Sequence, residues 1–166
     1  KRAHSVSKDE FDRRLSLADK MNADFHGRFK QKQIKTYHGL YDEAIKLMTS
    51  EDLKAFDIKH EDSKVRDFYG NNGFGQGCLL ARRLVEHQVR FVEVNLGGWD
   101  THNDNFVSVE SRCQILDQAL AGLISDLERR GMLDSTLVAL GTEFGRTPDI
   151  NDNTGRDHFP RAFSSL

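Results

Sequence analysis

Apolar positions recur at helical spacing through the first third of the chain, and then the rhythm changes. Phe11, Leu15, Ala18, Met21 and Phe25 lie three or four residues apart, behind Ser7 and Glu10 in a capping-box arrangement. They predict a helix that Gly27 ends or interrupts. A second helix is expected from about Phe29 to Met48, with Ile34, Tyr37, Tyr41, Ala44, Leu47 and Met48 inward. Thr49-Ser50-Glu51-Asp52 opens a short third helix, because hydroxyls cap and acids favour a helix N-terminus. From His60 to Tyr69 charge dominates, which predicts one more short, exposed helix.

The texture shifts at Tyr69-Gly70-Asn71-Asn72-Gly73-Phe74-Gly75-Gln76-Gly77. No strand precedes these glycines, and neither Lys-Ser/Thr nor Gly-x-Gly-x-x-Gly follows. They therefore read as a close-packed turn into a helix at Cys78–His87, not as a phosphate cradle. Beyond it come a β-branched run, Val89 to Leu96, a long helical pattern from about Val107 to Arg130, and a second such run, Ser135 to Leu140. Leu116, Leu120, Leu123, Ile124 and Leu127 form the expected buried stripe of the long helix, and Gly131 stops it.

Strand, helix, strand predicts a parallel crossover unit, and hence an α/β domain with a mostly parallel sheet and flanking helices. In such a sheet the loops after both strands leave one edge. Those loops are Gly97-Gly98-Trp99-Asp100-Thr101-His102-Asn103-Asp104 and Gly141-Thr142-Glu143-Phe144-Gly145-Arg146-Thr147-Pro148, which would bring their charged residues together.

Composition narrows the function class. At 166 residues the chain suits one domain or a large part of one, and net charge −2 gives no reason to expect nucleic acid. Mean hydropathy is −0.62, and no apolar stretch approaches the roughly 18 residues needed to span a bilayer. Lys1-Arg2-Ala3-His4-Ser5 does not read as a signal peptide, and Arg161 to Leu166 stops as an apolar segment begins. The chain is therefore expected to be an internal fragment. Cys78 and Cys113 both fall in apolar helical faces and are expected to be free, buried thiols, with a disulfide as the other reading.

Three loop clusters carry residues suited to chemistry. Asp100 and His102 are two apart, so extended backbone would point both at one ion, and a carboxylate with an imidazole suits Zn²⁺, Mn²⁺ or Fe²⁺ better than Ca²⁺. Each is also an ordinary loop residue. Glu143 follows an apolar run, with Arg146 three residues on. The pair reads either as a loop-stapling ion pair or as a metal ligand beside a guanidinium that grips an anion. Gly155-Arg156-Asp157-His158-Phe159-Pro160 is a solvated turn or a further ligand and acid–base site. His4, His26, His38, His60 and His87 read as surface or packing residues.

Residues 70–165 resemble the bacterial family catalogued as domain of unknown function 1501, a branch of the alkaline-phosphatase/sulfatase superfamily. The resemblance is carried by Phe74-Gly75-Gln76-Gly77, Phe91-Val92-Glu93-Val94, Gly97-Gly98-Trp99-Asp100-Thr101-His102, Glu143-Phe144-Gly145-Arg146-Thr147-Pro148 and Gly155-Arg156-Asp157-His158-Phe159-Pro160. Residues 1–69 match more loosely, as a helical, variable region of the same domain, and 70–166 as its α/β core segment.

The resemblance implies a hydrolase of phosphate or sulfate esters. A divalent metal (Zn, Mn, Mg or Ca) would be held by Asp100, His102, Glu143 and His158. Arg146 and Arg156 would stabilise charge on a small anionic ester substrate, with Asp157 beside them among the catalytic candidates. Phe144 departs from the superfamily pattern, standing where a His or Asn ligand is usual, and the family's nucleophile would lie upstream of this chain. A catalytically inert binding or surface module is the alternative class. Relatives often carry export signals, so a periplasmic or exported location is the expectation.

Overall fold

The computed structural model describes residues 6–29 and 32–166, with the side chains at 26, 32–35, 37, 38 and 49 outside that description. The inward placement of Ile34 and Tyr37 and the readings of His4, His26 and His38 therefore lie outside the described residues. The chain divides into two compact units, Lys1–Lys54 and Ala55–Leu166.

In the first unit, α1 (Lys8–Arg28) starts as its capping signal predicts, with the Glu10 N–H donated to Ser7 Oγ at 3.1 Å. Gly27 sits in its last turn, and the Phe29 N–H closes the helix on Phe25 O at 2.8 Å. α2 (Lys32–Thr49) lies alongside it, and Leu15, Ala18, Tyr41 and Ile45 line the groove where they meet. Two helices cover only one line of each other's surface. Met21, Phe25, Tyr41, Ala44 and Leu47 are therefore exposed despite their apolar spacing, while Met48 is half-buried. Ser50 Oγ accepts the Asp52 N–H at 3.0 Å and starts a 3₁₀ turn, Glu51–Phe56.

The second unit is built on three helices, α3 (Ser63–Tyr69), α4 (Gly73–Glu86) and α5 (Asn105–Arg129). Tyr69, Cys78, Leu79 and Ala119 make its core, with Ile58, Val65, Phe74, Val94 and Leu123 packed against them. α3 is less exposed than its charge suggests, because Tyr69 at its end is fully buried.

The glycine run earns its residues by close approach. A Cβ at Gly75 would lie 2.1 Å from Tyr69 O, and one at Gly77 would lie 2.9 Å from Val94 Cγ1. α4 begins inside that run, because Asn72 Oδ1 accepts the Gly75 N–H at 2.9 Å and caps it. On α5 the buried line is Ala119, Gly122, Asp126 and Leu127, whereas Ile124 is exposed. Gly122 draws the helix face round, since a Cβ there would stand 3.3 Å from Phe68 O. Cys78 is buried, which pushes its thiol up to about 11, whereas Cys113 is exposed; both are free.

Arg82 is almost wholly buried and meets three carboxylates. Its Nη2 is 3.0 Å from Glu61, its Nη1 is 2.7 Å from Glu86, and its Nε is 3.0 Å from Asp126. Asp126 also accepts from the Tyr69 hydroxyl at 3.0 Å, from Arg129 at 2.7 Å and from Arg130 at 3.0 Å. Charge buried this deeply is tolerable only when it is compensated on every side.

The expected parallel α/β sheet is not formed. The protein is 59% helix, and its one described sheet is the antiparallel pair β1 (Gly145–Arg146) and β2 (His158–Phe159). Burial does alternate along both β-branched runs. Val92, Val94 and Leu96 are half-buried between exposed Phe91, Glu93 and Asn95, and Thr136, Val138 and Leu140 alternate with Leu137 and Ala139. What is missing is lateral pairing. Among the described residues nothing pairs along 89–96, and 135–141 has a single isolated bridge, Gly141 with Ser165. Alternation records which face packs inward. A strand also needs a neighbour's N–H and C=O groups, and a residue pattern does not reveal whether one lies alongside.

Candidate metal centre

The 97–104 loop reaches the C-terminal segment through backbone. Arg156 N–H donates to Thr101 O at 2.9 Å, Asp104 N–H to Asn153 O at 3.1 Å and Asn105 N–H to Thr154 O at 3.0 Å. Asn103 and Thr154 form an isolated antiparallel bridge. The approach depends on Gly155, where a Cβ would stand 1.9 Å from His102 O. On the other side β1 pairs with β2 so that Arg146 is opposite His158. Segment 149–158 is thus the bracket that holds the 97–104 and 141–148 loops together, in place of a shared sheet edge.

Three donor atoms converge there. His102 Nε2 is 3.1 Å from His158 Nε2, and Asp100 Oδ1 is 3.1 Å from each of them. Such spacing is what three ligands about 2.0–2.2 Å from one centre produce, and two imidazoles with a carboxylate suit a first-row divalent ion. Asp157 Oδ1 lies 2.8 Å from His102 Nδ1. A carboxylate only accepts, so this contact calls for the proton on Nδ1, and in the neutral ring Nε2 is then the nitrogen with a lone pair toward the cluster.

The electrostatics follow the contacts. The Arg146 guanidinium, and then His158, hold Asp100 below the usual carboxylate value. His102, with Asn151, does the same for Asp157. Partial burial pulls Arg146 down, but Asp100 and Glu143 outweigh it and leave its pKa raised.

Of the expected ligands, Asp100, His102 and His158 come together and Glu143 does not join them. Its Oε1 accepts from Arg146 Nη2 at 2.7 Å, and Arg146 Nη1 lies 2.8 Å from Asp100 Oδ1. Arg156, expected to face an anion, donates instead to Thr147 O at 2.6 Å and Pro148 O at 2.9 Å. Asp157 stands behind His102. The remaining described histidines, His60 and His87, are exposed and lie away from the cluster in the chain.

Across residues 1–166 the chain matches the family model described as "Protein of unknown function (DUF1501)". The chain belongs to the DUF1501 family. No curated protein and no solved structure matches it.

One residue beside the cluster of this DUF1501 chain, Asn151, carried no usable signal in sequence. Asn151 donates to His102 O at 3.0 Å and to Asp157 Oδ1 at 3.2 Å, and accepts from Asn153 and Gly155 N–H. Asn is common in turns, so only its neighbours reveal it as the hub of the bracket. Phe144, whose ring cannot coordinate a metal, packs 4.6 Å from the ring of His158 and lies 5.9 Å from the Arg146 guanidinium carbon. It packs against an imidazole and a guanidinium.

Proposed function

We propose that this DUF1501 chain carries the metal site of a hydrolase for small phosphate or sulfate esters, of the alkaline-phosphatase/sulfatase kind. The observation that carries the reading is the convergence of Asp100 Oδ1, His102 Nε2 and His158 Nε2 at 3.1 Å from one another. Those three residues would hold a divalent ion of the Zn, Mn, Mg or Ca group, with the two imidazoles favouring Zn or Mn over Ca. When bound, the ion would polarise the ester oxygens and lower the pKa of a water.

The chain's own groups divide the remaining work. Asp157 fixes the tautomer and orientation of His102. Arg146, held by Glu143, places positive charge beside the cluster, where an oxyanion's charge would develop. Thr101 is buried and donates its hydroxyl to Asn105 at 2.7 Å, so it is not presented to an ester. Resemblance further suggests export to the periplasm.

A second reading has its own support. The Glu143–Arg146 ion pair and the Phe144–His158 packing would also suit an inert module that keeps the loops. The test is elemental analysis and turnover of aryl phosphates and aryl sulfates by the full-length protein with added Zn²⁺, Mn²⁺, Mg²⁺ or Ca²⁺. Metal content that falls in His102→Ala, together with metal-dependent turnover, supports the hydrolase. Absence of both metal and turnover overturns it and leaves the inert module.

A further inference from the structure

Arg146 competes for an atom that the cluster also needs. Its Nη1 is 2.8 Å from Asp100 Oδ1, the oxygen that lies 3.1 Å from both imidazole nitrogens. The two groups form a close ion pair, but the angle at Nη1 is poor for a hydrogen bond to that oxygen. Nη1 is a buried donor without a hydrogen-bonded acceptor. The guanidinium cannot shed its charge, and it has little room to withdraw. Nη2 is bonded to Glu143 at 2.7 Å, Phe144 lies under the group, only 14% of the side chain is exposed, and the backbone is locked in β1 opposite His158.

We infer that Arg146 is a metal-responsive anion clamp: it opposes a divalent ion at Asp100, and it turns Nη1 to a tetrahedral oxyanion when that ion is bound. The inference rests on the reading that Asp100, His102 and His158 hold the ion. Two cations beside one carboxylate oxygen repel, and an anion between them removes the repulsion while giving Nη1 a better-aligned acceptor. Metal and anion affinities are therefore coupled, and linkage makes the coupling equal in both directions.

The measurement is calorimetric titration of Mn²⁺ into the full chain, with and without inorganic phosphate, for wild type, Arg146→Met and Arg146→Lys. Wild type is expected to bind Mn²⁺ about 10-fold more tightly when phosphate is present. Arg146→Met is expected to bind Mn²⁺ about 10-fold more tightly than wild type without phosphate, and to lose most of the phosphate effect. Arg146→Lys keeps the charge without the fork, so it should retain the weak Mn²⁺ binding and lose part of the phosphate effect. Arg146→Lys also serves as the folded comparison if Arg146→Met proves unstable.

Mn²⁺ binding that is no tighter in Arg146→Met, or an undiminished phosphate effect, would overturn the clamp while leaving the metal site standing. A wild-type protein that takes up no Mn²⁺, Zn²⁺ or other divalent ion overturns both.

Discussion

The second unit holds two charged clusters that each set arginine against carboxylates, and they have opposite characters. Around Arg82 the charges are sealed: Arg82 and Asp126 side chains are each 1% exposed, and every carboxylate meets at least one guanidinium. Around Asp100 the side chains of Asp100, His102 and His158 are 67%, 39% and 48% exposed. There one carboxylate oxygen and two imidazole nitrogens lie within 4.8 Å of one another. The first arrangement pairs its buried guanidinium with carboxylates on three sides and holds the fold. The second is open to solvent and short of positive charge at its centre, the condition in which a ligand gains by binding.

The strongest way to break this contrast is Asp126→Ala, which strands Arg82 and Tyr69 in the core. Loss of one partner from a buried pair predicts about 3–5 kcal/mol of destabilisation, read from the urea midpoint. A loss below about 1 kcal/mol would put the Arg82 node on a par with surface ion pairs. His158→Ala should do the reverse: divalent affinity falls at least about 100-fold by calorimetry, while unfolding stability stays within about 0.5 kcal/mol. A large stability loss with unchanged affinity would make the cluster structural.

A finer probe is Asp157→Asn, which keeps the shape behind His102 but not the charge that fixes its proton. Metal affinity should drop about 10–100-fold, and an unchanged value would remove Asp157 from the site.

Acid supplies the gentlest test. Burial pushes Asp126 and Glu61 up, but hydrogen bonds from Arg129, Arg130 and Tyr69 to Asp126, and from Arg82 and Arg83 to Glu61, prevail. Both carboxyls end below their ordinary 3.8 and 4.5. Carboxyls lowered on folding contribute stability that is whole above those ordinary values and is lost as pH falls through the lower folded ones. The urea midpoint should therefore hold steady from neutral pH to about 5 and fall below about 4, less steeply in Asp126→Asn. A fall starting near neutral pH would contradict the assignment.

Much of this was legible in the residues, for reasons that can be named. Ser7 with Glu10 and Ser50 with Asp52 act within a few positions of themselves, so their signals are local and hold in the structure, whereas Gly77 answers to Val94, 17 residues along the chain. Asp100, His102 and His158 were recognisable by chemistry, yet their meeting depends on bonds such as Arg156 to Thr101, which join distant stretches of chain. Glu143 and Arg156 had the right residue types for a ligand and an anion clamp. Their neighbours, Arg146 for one and the Thr147 and Pro148 carbonyls for the other, assigned them elsewhere.

The chain by itself determines the capped starts at Ser7 and Ser50 and which side chains have lone pairs to offer. These depend on covalent identity and on contacts within a turn or two. Tertiary structure alone decided that the β-branched runs lie without a ladder, that α5 turns Gly122 and Asp126 inward, and that the two loops meet across a bracket built on Gly155 and Asn151. Each of those outcomes is a matter of which distant group arrives alongside. Pairing, burial and charge compensation are properties of neighbours in space, and residue order leaves those neighbours unspecified.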